Sequence, residues 1–199
     1  MRRSRAFLAI AAATLIVSCS QPPQAVIDSA RSAVDDAAHN ADVITYSPDS
    51  LRAAQDKAAA LEAEIAAQMK KPSLMRRFDD VQVLAEGAAA LAAKAMSDAA
   101  AAKAQVAQDA AALADEVNAE IPILESKVWA ARRVPRIKLD IVGAIALVPA
   151  QARATVDDAQ SDIAAGSYAV AKAKLLAAKD QLASSEETLV EQTRVARSR

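Results

Sequence analysis

The apolar residues between Leu84 and Val128 recur along the chain at spacings of four, three and four residues. These steps return to the same face of a helix after 11 residues, which is close to three turns. A heptad that began at Leu84 would instead place Asp98, Gln105 and Asp109 among the apolar side chains. The spacing therefore predicts one long helix with an 11-residue repeat. Its apolar positions are Leu84, Ala88, Leu91, Ala95, Ala99, Ala102, Val106, Ala110, Leu113, Val117, Ile121, Leu124 and Val128.

The composition extends this prediction to the rest of the chain. Alanine makes up about a quarter of the 199 residues, whereas there are three glycines and the aromatic fraction is 3%. Such a mixture is typical of long helices, because alanine loses no side-chain entropy when a helix forms. Alanine also buries little area, so helix–helix contacts should be close but individually weak. We expect an all-α fold whose long, Ala-rich helices form antiparallel hairpins or a coiled-coil-like bundle.

Prolines and capping residues predict the ends of the first three helices. The first should run from about Pro23 to Val43, and the second should begin with Ser47 as N-cap and Pro48 at its first position. Lys70-Lys71-Pro72-Ser73 should end the second helix, and Pro122 predicts a kink or break near residues 118–122 of the third. The apolar faces expected for the first two helices are Val26, Ala30, Ala33 and Ala37, and Leu51, Ala54, Ala58, Leu61 and Ile65.

Two further helices should follow the boundary at Arg132-Arg133-Val134-Pro135. Gly143 and Pro149 should loosen or bend the fourth helix, and its apolar run at 141–148 is too short to span a membrane, which favours a core helix. Ala165-Gly166-Ser167 should form a turn before the fifth. The chain is thus expected to form one helical hairpin over residues 25–134, with the long third helix, and a second over 135–199. The apolar faces are Ile141, Ile145, Val148, Ala152, Val156, Ala159 and Ile163, and Tyr168, Ala171, Leu175, Ala178, Leu182 and Leu189.

The segment ahead of the helices is typical of a secretory signal. Three arginines in residues 2–5 precede an apolar run of 12 residues, from Ala6 to Val17, which is too short to span a bilayer. The end of this run, together with the next two residues, reads Ile16-Val17-Ser18-Cys19 and resembles the lipobox of bacterial lipoproteins. This resemblance implies that residues 1–18 are removed and that Cys19 becomes the new N-terminus, acylated by a diacylglycerol with fatty acids such as palmitate. Residues 19–24 would then be a lipidated tether.

Cys19 could instead be a buried core thiol or one half of an intermolecular disulfide. It is the only cysteine in the chain, so an intramolecular disulfide is excluded. The polar, Pro-containing segment Ser20–Gln24 after it disfavours a place in a core. A free thiol would also be a liability in an oxidising compartment, which agrees with lipid attachment.

The charge balance disfavours nucleic acid as a partner. The chain has 24 Lys+Arg and 25 Asp+Glu, and removal of residues 1–18 takes away three arginines, which leaves 21 against 25, or a net charge of −4. These charges are mixed along the sequence and form no basic face of the kind that phosphate backbones require.

No pattern in the sequence predicts a catalytic, cofactor or metal site. His39 is the only histidine and no Glu-x-x-His pair occurs, so we expect it to be a solvated helix residue. Adjacent acids on a helix point about 100° apart and do not converge, so we interpret these pairs as solubilising faces. Trp129 could anchor a partner or a membrane interface, but packing between helices is favoured. The acidic pairs are Asp35-Asp36, Asp79-Asp80, Asp115-Glu116, Asp157-Asp158 and Glu186-Glu187.

A second resemblance concerns the helical part. Tyr46-Ser47-Pro48-Asp49-Ser50-Leu51 and Gly166-Ser167-Tyr168-Ala169-Val170-Ala171, each followed by Ala-rich heptads, are similar to a family of uncharacterised helical envelope domains. These often follow a lipobox and sometimes precede an OmpA-like peptidoglycan-binding domain. The resemblance implies a helical fold and an envelope location, but no activity.

These features predict a non-enzymatic lipoprotein that acts as a helical spacer, scaffold or protein-interaction module, with self-association through exposed helical seams. Ser20 after the lipidated residue, where enterobacterial lipoproteins retained in the inner membrane carry Asp, favours the outer membrane, facing the periplasm. The alternative is non-covalent binding of the cell wall or a role in envelope integrity. Covalent attachment through a C-terminal lysine is not expected of a chain that ends Arg197-Ser198-Arg199.

Overall fold

A computed structural model describes residues 21–198, so the segment interpreted as a secretory signal and Cys19 lie outside the described residues. Helices make up 87% of the described chain, which contains no strand, and the expected all-α fold is confirmed. A short 3-10 turn at Ser73–Met75 lies between the third and fourth α-helices. The α-helices are α1 (Gln24–His39), α2 (Ala41–Tyr46), α3 (Pro48–Met69), α4 (Asp79–Ala131), α5 (Leu139–Ile145), α6 (Val148–Ala164) and α7 (Tyr168–Arg197).

The described residues form two compact units that divide between Ala102 and Lys103, inside α4. Unit 1 contains α1, α2, α3 and the N-terminal half of α4, and unit 2 contains the C-terminal half of α4 with α5, α6 and α7. Each unit has its own apolar core. The boundary at 134–135 expected from the sequence falls in the connection between α4 and α5.

Unit 1 is an up-down-up arrangement of α1, α3 and α4. A bidentate ion pair joins Arg31 of α1 to Glu62 of α3, with distances of 2.7 and 2.9 Å. At the start of α3, the Ser47 hydroxyl donates to the Ala95 carbonyl of α4. At the end of α3, the Gln68 side chain accepts from the backbone N–H of Arg77, just before α4 begins. These contacts at the two ends place α3 antiparallel to α4.

Unit 2 repeats this arrangement with α4, α6 and α7. Lys172 and Lys179 of α7 bind Asp109 and Glu116 of α4, each at 2.6 Å. The sequence separation is 63 residues in both pairs, so α4 and α7 run parallel. Lys174 near the start of α7 binds Asp158 and Asp162 near the end of α6, which makes these two helices antiparallel.

The buried face of α4 corrects the 11-residue repeat expected from the sequence. In each half of the helix the buried positions follow heptad spacing, with Leu113 buried beside the second series, and an 11-residue step from Ala99 to Ala110 joins the two series. Such a step is a heptad with four inserted residues. No residue between 100 and 109 is fully buried. The two heptad series are Val81, Ala85, Ala88, Ala92, Ala95 and Ala99, and Ala110, Ala114, Val117, Ile121, Leu124, Val128 and Ala131.

Two expected helix boundaries differ from the structure. The first helix does not reach Val43, because Asn40 ends α1 and its Oδ1 accepts from the N–H groups of Asp42 and Val43, which caps α2. Of the kink or break expected near residues 118–122, the break is wrong, since α4 continues through Pro122 to Ala131. Both Pro122 and Asn118, whose carbonyl loses its helical donor, lie on the exposed face, where water can satisfy that carbonyl.

Most of the predicted apolar faces are confirmed as buried. In α1 the buried positions are Ile27, Ala30, Val34 and Ala37, so that Val26 and Ala33 lie beside the seam rather than in it. The heptad positions of α3 and α7 and the longer spacing of α5 and α6 mostly lie in the cores of their units. The exceptions, which are only partly buried, are Ala58, Ile65, Ile141, Ile163 and Tyr168. The connection at Ala146 and Leu147 separates α5 from α6, which confirms the predicted loosening between Gly143 and Pro149.

Among residues 21–198, one segment, Leu139–Ala164, is apolar and long enough to cross a membrane by length and composition alone, with a mean hydropathy of 1.3. In the structure it comprises α5 and α6, and Val142, Ile145, Val148 and Val156 contribute to the core of unit 2. The same length and hydropathy are found in core helices of soluble proteins. The prediction that the run at 141–148 contributes to a core is confirmed.

Candidate functional site

The connection between α3 and α4 exposes large apolar side chains to solvent. Residues 69–77, here called the Leu74 loop, contain the 3-10 turn. Leu74 is 99% exposed, Met75 68% and Met69 50%. A single exposed apolar residue needs no explanation, but three in one short connection form a patch.

Hydrogen bonds connect the Leu74 loop to the end of α3. The Arg76 guanidinium donates to the carbonyls of Lys71 and Met69, at 3.0 and 3.3 Å, and so caps the end of α3. On one side of the loop the buried Gln68 accepts from the N–H of Arg77 at 3.0 Å and donates to Glu64 at 2.6 Å. On the other side Phe78 is buried in the core of unit 1. The exposure of Leu74 is therefore built into an ordered connection.

The same loop has a concentrated positive charge. Lys70 and Lys71 precede the apolar tip, Arg76 and Arg77 follow it, and no acidic residue occurs between Glu64 and Asp79. From the sequence this stretch was predicted only to end a helix, and no role was predicted for Leu74 or Met75. The sequence does contain a pattern that could have identified this loop, namely an apolar pair between two basic pairs. An anionic, partly apolar surface would bind such a pattern.

The Leu74 loop lies at the end of unit 1 where the chain enters from Cys19. Arg31 pairs with Glu62, and α1 packs along α3. Gln24, at the start of α1, is seven residues before Arg31, and Met69, at the end of α3, is seven residues after Glu62. The connection through α2 is too short to bring α3 back for a parallel run past the Arg31–Glu62 contact, so α1 and α3 are antiparallel. Both steps therefore run about 10 Å in the same direction. The start of α1 and the Leu74 loop therefore share one end of unit 1.

Trp129 is exposed, which corrects the expectation that it packs between helices. Its side chain is 58% exposed, and the Arg133 guanidinium stacks on the ring, 3.3 Å from the ring centroid. Trp129 and Arg132 line a groove of about 190 Å³ in unit 2 together with Glu125, Val128, Ala146 and Pro149. The spacing of apolar residues did not predict the exposure of Trp129. The preceding residue, Val128, occupies the core position.

His39 and the acidic pairs lie on solvated helix faces, as expected. The His39 ring is 77% exposed and its Nδ1 lies 2.9 Å from the carbonyl oxygen of Asp35. Some members of the pairs do more than solubilise, because Glu116, Asp158 and Glu186 bind lysines of neighbouring helices. Within residues 21–198, no group of three or more His, Cys, Asp or Glu side chains is placed to hold a metal ion.

Ion pairs join the helices of unit 2 around its core. The hydrogen bond from Lys172 lowers the pKa of the Asp109 carboxyl, and a second from Gln105 adds to the effect. Arg153 likewise lowers the pKa of Glu125 through a bidentate contact at 2.7 and 2.9 Å. These pairs are partly exposed, so each contributes little to stability.

Comparison of the chain with known protein families, with curated proteins and with solved structures finds no match.

Proposed function

We propose that the chain is a lipoprotein of the bacterial envelope, anchored through Cys19. The observation that carries the proposal is the order Ile16-Val17-Ser18-Cys19 at the end of a short apolar run with a basic start. The signal segment is removed before Cys19, and the acylated residue becomes the membrane anchor. Stable anchoring takes more than one acyl chain, and a triacylated cysteine supplies it.

The anchor holds unit 1 close to the membrane surface. Only four residues, Ser20 to Pro23, separate Cys19 from the start of α1. A chain of five residues spans at most about 18 Å when fully extended. The tether therefore gives unit 1 little freedom to leave the bilayer surface.

The helical part acts without catalysis, as a spacer, scaffold or protein-interaction module outside the cytoplasm. This role is supported by two units that each close their apolar seam inside their own core. A partner, or a second copy of the chain, would then bind side chains outside the seams, which is a change from the exposed seams expected at first. Crosslinking in intact cells, followed by identification of what co-purifies, tests for such a partner.

Metabolic labelling with a fatty acid tests the anchor. The parent protein should take up label and enter the detergent phase on phase separation, whereas Cys19→Ser should do neither. Ser20→Ala is the matched control, because it alters the neighbouring residue and leaves the thiol, and it should label like the parent. An unlabelled parent protein, or a labelled Cys19→Ser variant, would contradict the proposal.

A second experiment tests the membrane to which the protein is sorted. We propose the outer membrane, facing the periplasm, by analogy with enterobacterial lipoproteins in which Asp after the lipidated cysteine causes retention in the inner membrane. Density-gradient separation of the membranes should find the parent and Ser20→Ala in the outer fraction and Ser20→Asp in the inner fraction. A parent protein in the inner fraction would contradict this assignment while leaving the anchor intact.

A further inference from the structure

We propose that the Leu74 loop is a membrane-docking element, with Leu74 and Met75 inserted among lipid chains and the basic residues on either side bound to anionic headgroups. The lipidation proposed above supplies a covalent anchor. The loop would add a second, non-covalent contact between unit 1 and the same membrane.

The tip of the Leu74 loop is apolar and exposed. Leu74 and Met75 are the most exposed of the large apolar side chains in the described chain, at 99% and 68%. Their exposure does not arise from a loose connection, because Arg76 binds two carbonyls of the chain before the tip and Phe78 is buried after it. An ordered loop that presents apolar side chains to water is suited to an apolar medium outside the protein.

The charge around the tip identifies that medium. Lys70, Lys71, Arg76 and Arg77 occur within eight residues without an intervening acid, although the mature chain as a whole is acidic. Long basic side chains beside an apolar tip match the headgroup layer of a bilayer that contains anionic lipid. The tip protrudes, and a fluid bilayer accepts a protruding side chain without a preformed groove.

The position of the loop within unit 1 also supports membrane docking. The start of α1 and the Leu74 loop lie at the same end of the unit, so a lipid on Cys19 and the loop would meet one membrane surface. This step rests on the proposed lipidation. The affinity of the loop for anionic lipid does not, and it can be measured on unacylated protein.

The test uses the polypeptide from residue 20 to 199, which lacks Cys19 and contains all the residues of both cores. Flotation is measured with vesicles of phosphatidylcholine alone and with vesicles of equal parts phosphatidylcholine and phosphatidylglycerol. We expect binding to the anionic vesicles only, weakened by added salt as the basic side chains are screened. Failure to bind the anionic vesicles would overturn the proposal and leave the acylation of Cys19 untouched.

Two double variants separate the tip from the rest of the surface. Leu74→Gln with Met75→Gln should lower the partition coefficient about tenfold or more, because the apolar area that enters the bilayer is lost. The matched control is Leu139→Gln with Leu147→Gln, two leucines of unit 2 that are 65% and 62% exposed, and it should bind like the parent. Equal loss in both variants, or loss only in the control, would overturn the assignment. Circular dichroism checks that each variant remains helical.

The charge and the insertion have separate readouts. Lys70→Gln with Lys71→Gln should weaken binding to anionic vesicles, whereas Arg132→Gln with Arg133→Gln in unit 2 should not. Trp129 is the only tryptophan, so Leu74→Trp in a Trp129→Phe background reports on the tip alone. Its emission should shift to the blue on binding and be quenched by brominated lipid chains. Emission that neither shifts nor is quenched while the protein is bound to vesicles would overturn the proposal. Binding of the loop to an acidic protein but not to anionic vesicles would also overturn it.

Discussion

The hydroxyl of Ser47 donates a 2.8 Å hydrogen bond to the carbonyl oxygen of Ala95, from the start of α3 to the N-terminal half of α4. Ser47 occupies the N-cap position of α3, yet its side chain makes no capping bond. Its neighbour Ser50 reaches the same helix, with a 2.6 Å bond to the Asp98 carboxylate. A residue whose type suits a helix cap thus serves to join two helices of unit 1.

Ser47→Ala should lower the free energy of unfolding by about 1 kcal/mol, the usual contribution of one hydrogen bond. Ser47→Asp separates the two roles, because aspartate is a good N-cap but a carboxylate cannot donate to the Ala95 carbonyl. If capping mattered most, aspartate would preserve stability. We expect it to destabilise the protein more than alanine does, because the site is buried. Urea unfolding followed by circular dichroism measures both changes.

Gly166 and Gly143 should respond in opposite directions to alanine. Gly166 has φ +77°, and the bonds from Ser167 N–H to the Asp162 carbonyl and from Gly166 N–H to the Ile163 carbonyl form a Schellman motif at the end of α6. Gly166→Ala should cost about 1 kcal/mol, because an L residue is strained there. Gly143 lies in α5 with open space around its Cα, so Gly143→Ala should stabilise by about 0.5–1 kcal/mol. Thermal unfolding of both variants checks the signs, and a gain at Gly166 would contradict the motif.

The pair of Arg31 and Glu62 should make stability depend on pH in acid. The hydrogen bond from Arg31 lowers the pKa of Glu62 in the folded protein. A lowered carboxyl pKa contributes stability above the unfolded value, about 4.3 for glutamate, and this contribution is lost as the pH falls through the lower, folded value. Both side chains are about half exposed, so the contribution should be no more than about 1 kcal/mol.

Urea unfolding between neutral pH and pH values below the ordinary glutamate pKa measures this loss. Glu62→Gln should be less stable than the parent at neutral pH and should approach it in acid. Asp56→Asn, on the exposed face of the same helix, removes a charge of the same sign and is the control. A stability difference between Glu62→Gln and the parent that does not shrink in acid would contradict the role of the ion pair.

Large apolar side chains made much of the fold predictable from the sequence. The seams of α3 and α7 contain Leu61, Leu175, Leu182 and Leu189. Burial of these large apolar side chains is favourable, so their spacing predicted the buried face of each helix. In the unit 1 half of α4, the sequence predicted that Leu84 and Leu91 belong to the apolar stripe. The buried residues are instead their neighbours Ala85 and Ala92. Alanine occurs on both faces there: Ala92 is buried and Ala93 is exposed, so the pattern alone could not separate them.

The candidate site was less predictable, because it does not depend on periodicity. Leu74 and Met75 belong to no helical seam, and their exposure follows from how Arg76 and Gln68 fold the connection back on itself. Trp129 was misplaced for a related reason. Its size suggested burial, but Val128 and Leu124 already fill the core face of α4, and Arg133 covers one side of the ring.

Hydrogen exchange should distinguish the middle of α4 from the rest of the helix. No residue between 100 and 109 is fully buried, and the 11-residue step from Ala99 to Ala110 carries the apolar stripe from one heptad series to the other. Amides opened by local fluctuation exchange sooner where few apolar contacts resist the opening. Peptides that cover 100–109 should therefore exchange faster than peptides that cover 88–99 or 113–124. Alanine favours the helix in all three segments, so propensity alone predicts no difference. Equal protection throughout α4 would show that helix propensity, and not core packing, sets its stability.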